Sequence, residues 1–228
     1  MEKLQPLFTI HLGSLNVTIT SSILVQWVII VLLAILAKVL TTNLKKVPDK
    51  KQSAVEILIE MLQNFVKENM GEKYVSFIPY VGTLFIFILL MNLTALLGVT
   101  PPTKDLSVAG GLGLISFVIV QVNAIKKVGV KHYFLAYKEP VWPLIPINII
   151  ERLVLPVSLA LRLFGNMVAG AVVIDMFYGL MGSLGLSWVP QLIIPIPLHG
   201  FFDVFDGGIQ TLVFVMLTMM NIKIVAEH

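Results

Sequence analysis

There is no cysteine among the 228 residues. A disulfide framework, thiol chemistry and cysteine-ligated metal sites are excluded at once. Charge is scarce as well. Asp, Glu, Lys and Arg make up 13% of the chain, against about 25% in average soluble domains. Between Lys73 and Lys104 there is no charged side chain at all. The four histidines, His11, His132, His199 and His228, stand too far apart to suggest a metal cluster, and neither a metal nor a cofactor is expected. The net charge is only +3, and nothing points to nucleic acid. No internal repeat and no low-complexity tract is visible.

What the chain does have is apolar surface. Hydrophobic residues make up 57% of it, and the mean hydropathy is +0.92. The reading is an all-α, polytopic membrane protein in a lipid bilayer, one membrane domain over residues 1–228. The first apolar run, Ser22 to Leu40, is long enough to cross about 30 Å of hydrocarbon. Without a clear cleavage site before it, it is read as a span rather than a signal peptide. It closes an N-terminal segment at 1–42. Residues 43–75 differ in composition, and Ser53 to Met70 carries Val55, Leu58, Leu62, Phe65 and Val66 against Glu56, Glu60, Lys67 and Glu68. This predicts an amphipathic helix on the membrane surface, with Ser53 and Glu56 as a capping box. Residues 76–126 are read as a hairpin of two spans around a turn at Thr100–Asp105, and 127–147 as a polar loop. Residues 148–228 form a last hairpin, Asn148–Leu180 and Gln191–Val225.

Lysines set the orientation. Lys45, Lys46, Lys50, Lys51, Lys67 and Lys73 lie in one loop, and Lys126, Lys127, Lys131 and Lys138 in another two spans later. Both loops are therefore assigned to the cytoplasm, with the N-terminus outside, the C-terminus inside and five spans in total. The last two segments are too long for perpendicular crossing. As helices of 33–35 residues they would be about 50 Å long. They must tilt steeply, or break at Pro156, Pro195 or Pro197.

The same two segments hold every deep charge. A charge near the bilayer centre costs at least about 2.5–3.5 kcal/mol, so each is a functional candidate. Arg162 stands fourteen residues inside its segment and stays protonated at any accessible pH. At about 100° per residue, Glu151, Ser158 and Asn166 share its stripe, whereas Asp175 points about 140° away. That argues against a simple ion pair within the helix. His199, Asp203, Asp206 and Gln210 are spaced four, three and four apart, one helical face able to relay ions or line a hydrated groove. Gly165, Ala169, Gly170, Ala171, Gly207 and Gly208 allow close helix approach.

The run Ser158-Leu159-Ala160-Leu161-Arg162-Leu163-Phe164-Gly165-Asn166-Met167-Val168-Ala169-Gly170 closely resembles the signature of subunit a of bacterial F-type ATP synthases. Phe77–Asn92, the Pro101–Leu106 turn, Ile209-Gln210, Val213-Phe214 and Leu217-Thr218 are similar too. The resemblance implies a bacterial plasma-membrane subunit that is not an enzyme on its own. It implies two offset half-channels for protons or sodium ions, with a c-subunit ring, peripheral-stalk b subunits and the rest of the complex as partners. It implies further that Arg162 faces the ring, with Gln210 close by and Asn166, Asp175, His199, Asp203 and Asp206 along the ion path. Departures exist. Ala171 stands where the family often has an acid, and Asp175 is read as its replacement. Asp203 stands where histidine or glutamate is common, and Asp206 with Gly207-Gly208 is less usual. A secondary transporter would favour repeats, and an intramembrane aspartyl protease built on Asp175 and Asp203 would give Arg162 no task.

Overall fold

The computed structural model describes residues 6–12, 15–42, 44–130, 133, 135, 143, 145–183 and 195–227. His132, Lys131, Lys138 and residues 184–194 lie outside them. Five helices among the described residues are long and apolar enough to span: Ser21–Thr41, Glu72–Leu97, Leu106–Val128, Ile145–Ser183 and Ile196–Ala226.

The chain opens with an element that the sequence reading did not predict. Strands β1 (Pro6–Leu12) and β2 (Leu15–Thr20) pair antiparallel, with Thr9 opposite Thr18 and His11 opposite Asn16. The period-2 pattern Phe8-Thr9-Ile10 and Val17-Thr18-Ile19 carries that signal. Helix α1 (Ser21–Thr41) follows directly, and Ser22 and Ile29 are its buried residues. Nearly every other face of α1 is open, as an apolar helix bathed in lipid allows.

Helix α2 (Lys50–Met70) starts three residues before Ser53, with Asp49 at its N-cap. The capping box is therefore not formed: the Ser53 amide donates to the Asp49 carbonyl at 2.8 Å, and Glu56 accepts from Gln52. Val66 and Met70 are buried, and Leu62 meets Gly82 of the next span, where an added Cβ would stand 3.3 Å from Leu62 Cδ1. Leu58, expected on the apolar face, is 50% exposed. The packed side of α2 is the Leu62–Val66–Met70 stripe of its C-terminal half. Gly71 ends the helix with φ +93°, a conformation that costs glycine little.

A 3-10 turn (Glu72–Phe77) leads into α3 (Ile78–Leu93), and two more 3-10 turns (Thr94–Leu97, Pro102–Lys104) into α4 (Leu106–Val128). Asp105 caps α4, its carboxylate accepting from the Ser107 amide at 2.9 Å. The turn between these spans is not a free loop: Pro101, Pro102 and Thr103 are buried.

Helix α5 (Ile145–Ser183) is continuous over 39 residues with Pro156 inside it. That is about 58 Å at 1.5 Å per residue. Length is therefore accommodated without a break at Pro156, and crossing about 30 Å of hydrocarbon demands a strong tilt. Helix α4 covers this stretch so closely that a Cβ on Gly113 would lie 2.6 Å from the Pro156 carbonyl oxygen. Neighbouring helices of this kind let a proline persist within a span. The last segment does depart from an α-helix: α6 (Pro195–His199) passes into a π-helix, Gly200–Asp206, and then α7 (Gly207–Glu227). Helix α7 is the centre of the bundle. It packs on α2, α3, α4 and α5 and buries Phe214, Val215, Met219 and Ile222.

Candidate functional site: the α5–α7 hairpin

Three contacts give the register of the last hairpin. The Tyr178 hydroxyl lies 3.4 Å from His199 Nε2. A Cβ on Gly170 would lie 3.1 Å from Phe202 Cδ1, and one on Gly207 would lie 3.6 Å from Met167 Cε. Numbers fall along α5 as they rise along the last segment, so the two run antiparallel. Gln210 is then about 4.5 Å beyond Gly207 along α7, and Arg162 about 7.5 Å before Met167 along α5. Both steps lead the same way, which puts Arg162 and Gln210 within about 3 Å of one level along the helix axes.

The two residues differ in environment. Arg162 is exposed and Gln210 is 5% exposed. The buried stripe of α5 is Leu159, Leu163, Met167, Gly170 and Ile174, centred about 100° from Arg162. Arg162 shares its open face with Gly165, Ala169 and Met176, while Asn166, one turn on, is half-buried. Among the described residues the ion pairs are Lys45–Asp49 and His199–Asp203. Arg162 joins neither, so a structural pair with Asp175 or Asp203 is not formed. Asp175 is exposed. By the antiparallel register it lies at the level of His199.

At that level sits a polar chain. His199 Nδ1 lies 2.6 Å from Asp203 Oδ2, and with Nδ1–H donating there, Nε2 accepts from the Tyr178 hydroxyl. Asp203 keeps 12% of its side chain exposed and His199 37%. Asp206 is half-buried, and it carries no ion pair to a described residue. The π-helix falls across this row. One extra residue per turn shifts the phase by about 100°, so His199, Asp203, Asp206 and Gln210 do not form the single straight stripe expected from their spacing. Asp203 turns to His199, while Gln210 turns inward.

The small residues also divide. Gly170 and Gly207 are packed against Phe202 and Asn92, whereas nothing lies within 4 Å of a Cβ built at Gly165 or Gly208. Tyr178 was not singled out by sequence reasoning. Nor were Asn92, Thr103 and Thr211, which are wholly buried and bonded to one another. A polar residue in the uncharged span 74–103 was the available signal for Asn92.

Comparison with known proteins bears on the same region. The family model described as ATP synthase A chain matches residues 23–223. ATP synthase subunit a of Moorella thermoacetica is 34% identical over 223 residues, 97% of each chain. Subunit a 1 of Syntrophotalea carbinolica is 41% identical over 86% of this chain and 81% of its own. A sodium ion specific subunit a from Propionigenium modestum is 28% identical over 92% of this chain and 75% of its own. With a match that takes in all five spans, the intramembrane arginine and the glutamine level with it, the chain belongs to the ATP synthase subunit a family.

Proposed function

We propose that Arg162 is the ring-facing cation of an ion-translocating stator, and that the ion path runs through the α5–α7 hairpin. The observation that carries this reading is the placement of Arg162: a permanent charge, deep in a membrane helix, on an open face and without an ion pair among the described residues. A charge so placed calls for a partner carboxylate from outside the chain, supplied by the c ring. The guanidinium favours the ionised form of that carboxylate and so expels its ion. Because it cannot lose its proton, it also bars direct proton passage between the half-channels. Each charge crossing the full potential delivers about 2.3 kcal/mol per 100 mV.

In this reading Asp175, His199, Asp203 and Asp206 form the outside half-channel, Asn166 and Gln210 flank Arg162, and residues 148–228 are the working hairpin. Residues 1–147 are the scaffold, and the peripheral-stalk b subunits dock on the complex's stationary side. The lysine loops at 43–75 and 127–147 face the cytoplasm with the C-terminus, and the N-terminus lies outside. The ion is a proton or a sodium ion, according to the ring carboxylate it meets. The test is the Arg162→Ala complex reconstituted in vesicles under an imposed ion gradient. ATP synthesis should be abolished with the complex intact. Normal synthesis would sink the reading, and loss of the complex from the membrane would make Arg162 an assembly residue.

A further inference from the structure

Asn92, at the end of α3, carries a wholly buried and mutually bonded polar cluster. Its Nδ2 donates to the Gly207 carbonyl at 3.0 Å and to Thr211 Oγ1 at 3.1 Å. Its Oδ1 accepts from the Thr103 hydroxyl at 2.9 Å. Thr211 Oγ1 in turn donates to the Gly207 carbonyl at 2.9 Å. Asn92, Thr103 and Thr211 are each 0% exposed. The amide has one workable orientation, since a flip would set Oδ1 against the Gly207 carbonyl, which can only accept. Thr103 holds it there from the outer turn.

The cluster grips a particular place. Gly207 is where the π-helix Gly200–Asp206 returns to α. Side-chain donors from Asn92 and Thr211 both converge on the Gly207 carbonyl, the first of α7 after the π segment, and anchor that junction. Gly207 also admits the grip sterically: a Cβ there would stand 3.2 Å from the Asn92 Cβ. This accounts for the glycine after Asp206, a feature the ion path alone leaves unexplained. A buried polar cluster in a membrane core contributes modest stability. Its stronger effect is to specify one arrangement among several.

We propose that Asn92 is a positioning residue for ion translocation: oriented by Thr103, it clamps Gly207 and Thr211, holds the π turn, and so fixes the phase between Asp203 within that turn and Gln210 after it. The role rests on the ion path proposed above, but the clamp has its own geometric readout. Gly170 and Phe202 face each other, a Cβ on Gly170 lying 3.5 Å from the Phe202 Cβ, within disulfide range. In the complex assembled with this cysteine-free chain, Gly170→Cys with Phe202→Cys should therefore oxidise readily. Adding Asn92→Leu lets the π turn relax to α, swings Phe202 away by about 100°, and should cut disulfide yield severalfold.

In the chain without the cysteine pair, Asn92→Leu should lower gradient-driven ATP synthesis by about tenfold or more, since displacements of about 1 Å cost that much, with complex abundance kept. Synthesis is driven by an imposed pH gradient in vesicles containing sodium chloride. Thr211→Val should reproduce both effects in part, and Thr211→Ser should restore them. Unchanged disulfide yield and unchanged synthesis in Asn92→Leu would overturn the clamp. Reduced yield with normal synthesis would keep the clamp but overturn its functional role together with the Asp203–Gln210 path. If Asn92→Leu does not assemble, Thr211→Val decides on the same two measurements.

Discussion

His199 Nδ1 and Asp203 Oδ2 lie 2.6 Å apart, one turn from each other across the junction between α6 and the π-helix. The imidazole spends one nitrogen on the carboxylate and turns the other to Tyr178. Removing the acid leaves the imidazole without its orienting partner. Asp203→Ala should slow ion-driven ATP synthesis by about a hundredfold, the scale of a lost proton-transfer group, while Asp203→Glu retains part of the rate. Vesicle-reconstituted complexes under an imposed gradient measure both. A normal rate in Asp203→Ala would make the pair structural.

Arg162→Lys should fail nearly as fully as Arg162→Ala. An ammonium can lose its proton when desolvated, and it lacks the planar fork that meets a carboxylate with two parallel bonds. The check is ATP-driven pumping by assembled complex. Pumping at more than half the parental rate would show that charge alone suffices.

Gly113→Val tests the α4–α5 contact. A Cβ at 113 would sit 2.6 Å from the Pro156 carbonyl oxygen, a backbone atom that cannot swing aside. Overpacking of this kind costs about 1–3 kcal/mol, so the complex should lose thermal stability or abundance. Gly110→Ala serves as the control, because nothing lies within 4 Å of a Cβ there. Equal melting of the two variants would contradict the packing.

Single cysteines test orientation. Lys50→Cys and Lys126→Cys lie at exposed positions and should label from the cytoplasmic side, and Lys104→Cys from the opposite one. Thr103→Cys should label poorly, since Thr103 is fully buried and bonded to Asn92. Labelling of Lys50→Cys and Lys104→Cys from the same side would refute the assigned topology.

The parts of the site legible in the sequence are those whose meaning is local. Arg162 stands out because no neighbouring residue in an apolar run can relieve its charge. Asp175, Asp203 and Gln210 stand out for a similar reason, as polar groups in an apolar run. The spans read well because hydrocarbon thickness sets their length. Helix α2 began earlier than its capping pattern suggested, as Asp49 and Ser53 are both competent starts and pattern alone does not rank them. A period of 3.6 predicts a straight polar face in the last segment, and the structure departs from it where the backbone widens to a π turn at Gly200–Asp206.

Sequence alone thus determined the membrane class, the five spans, the lysine asymmetry and the deep charges, because each follows from transferring side chains between water and hydrocarbon one segment at a time. The tertiary structure decided what depends on two segments meeting. It bridged Pro156 with Gly113 of another helix, placed Gln210 level with Arg162, and joined Asn92 to Gly207 across 115 residues. Contacts of that range depend on how whole helices pack, and no local period or composition encodes them.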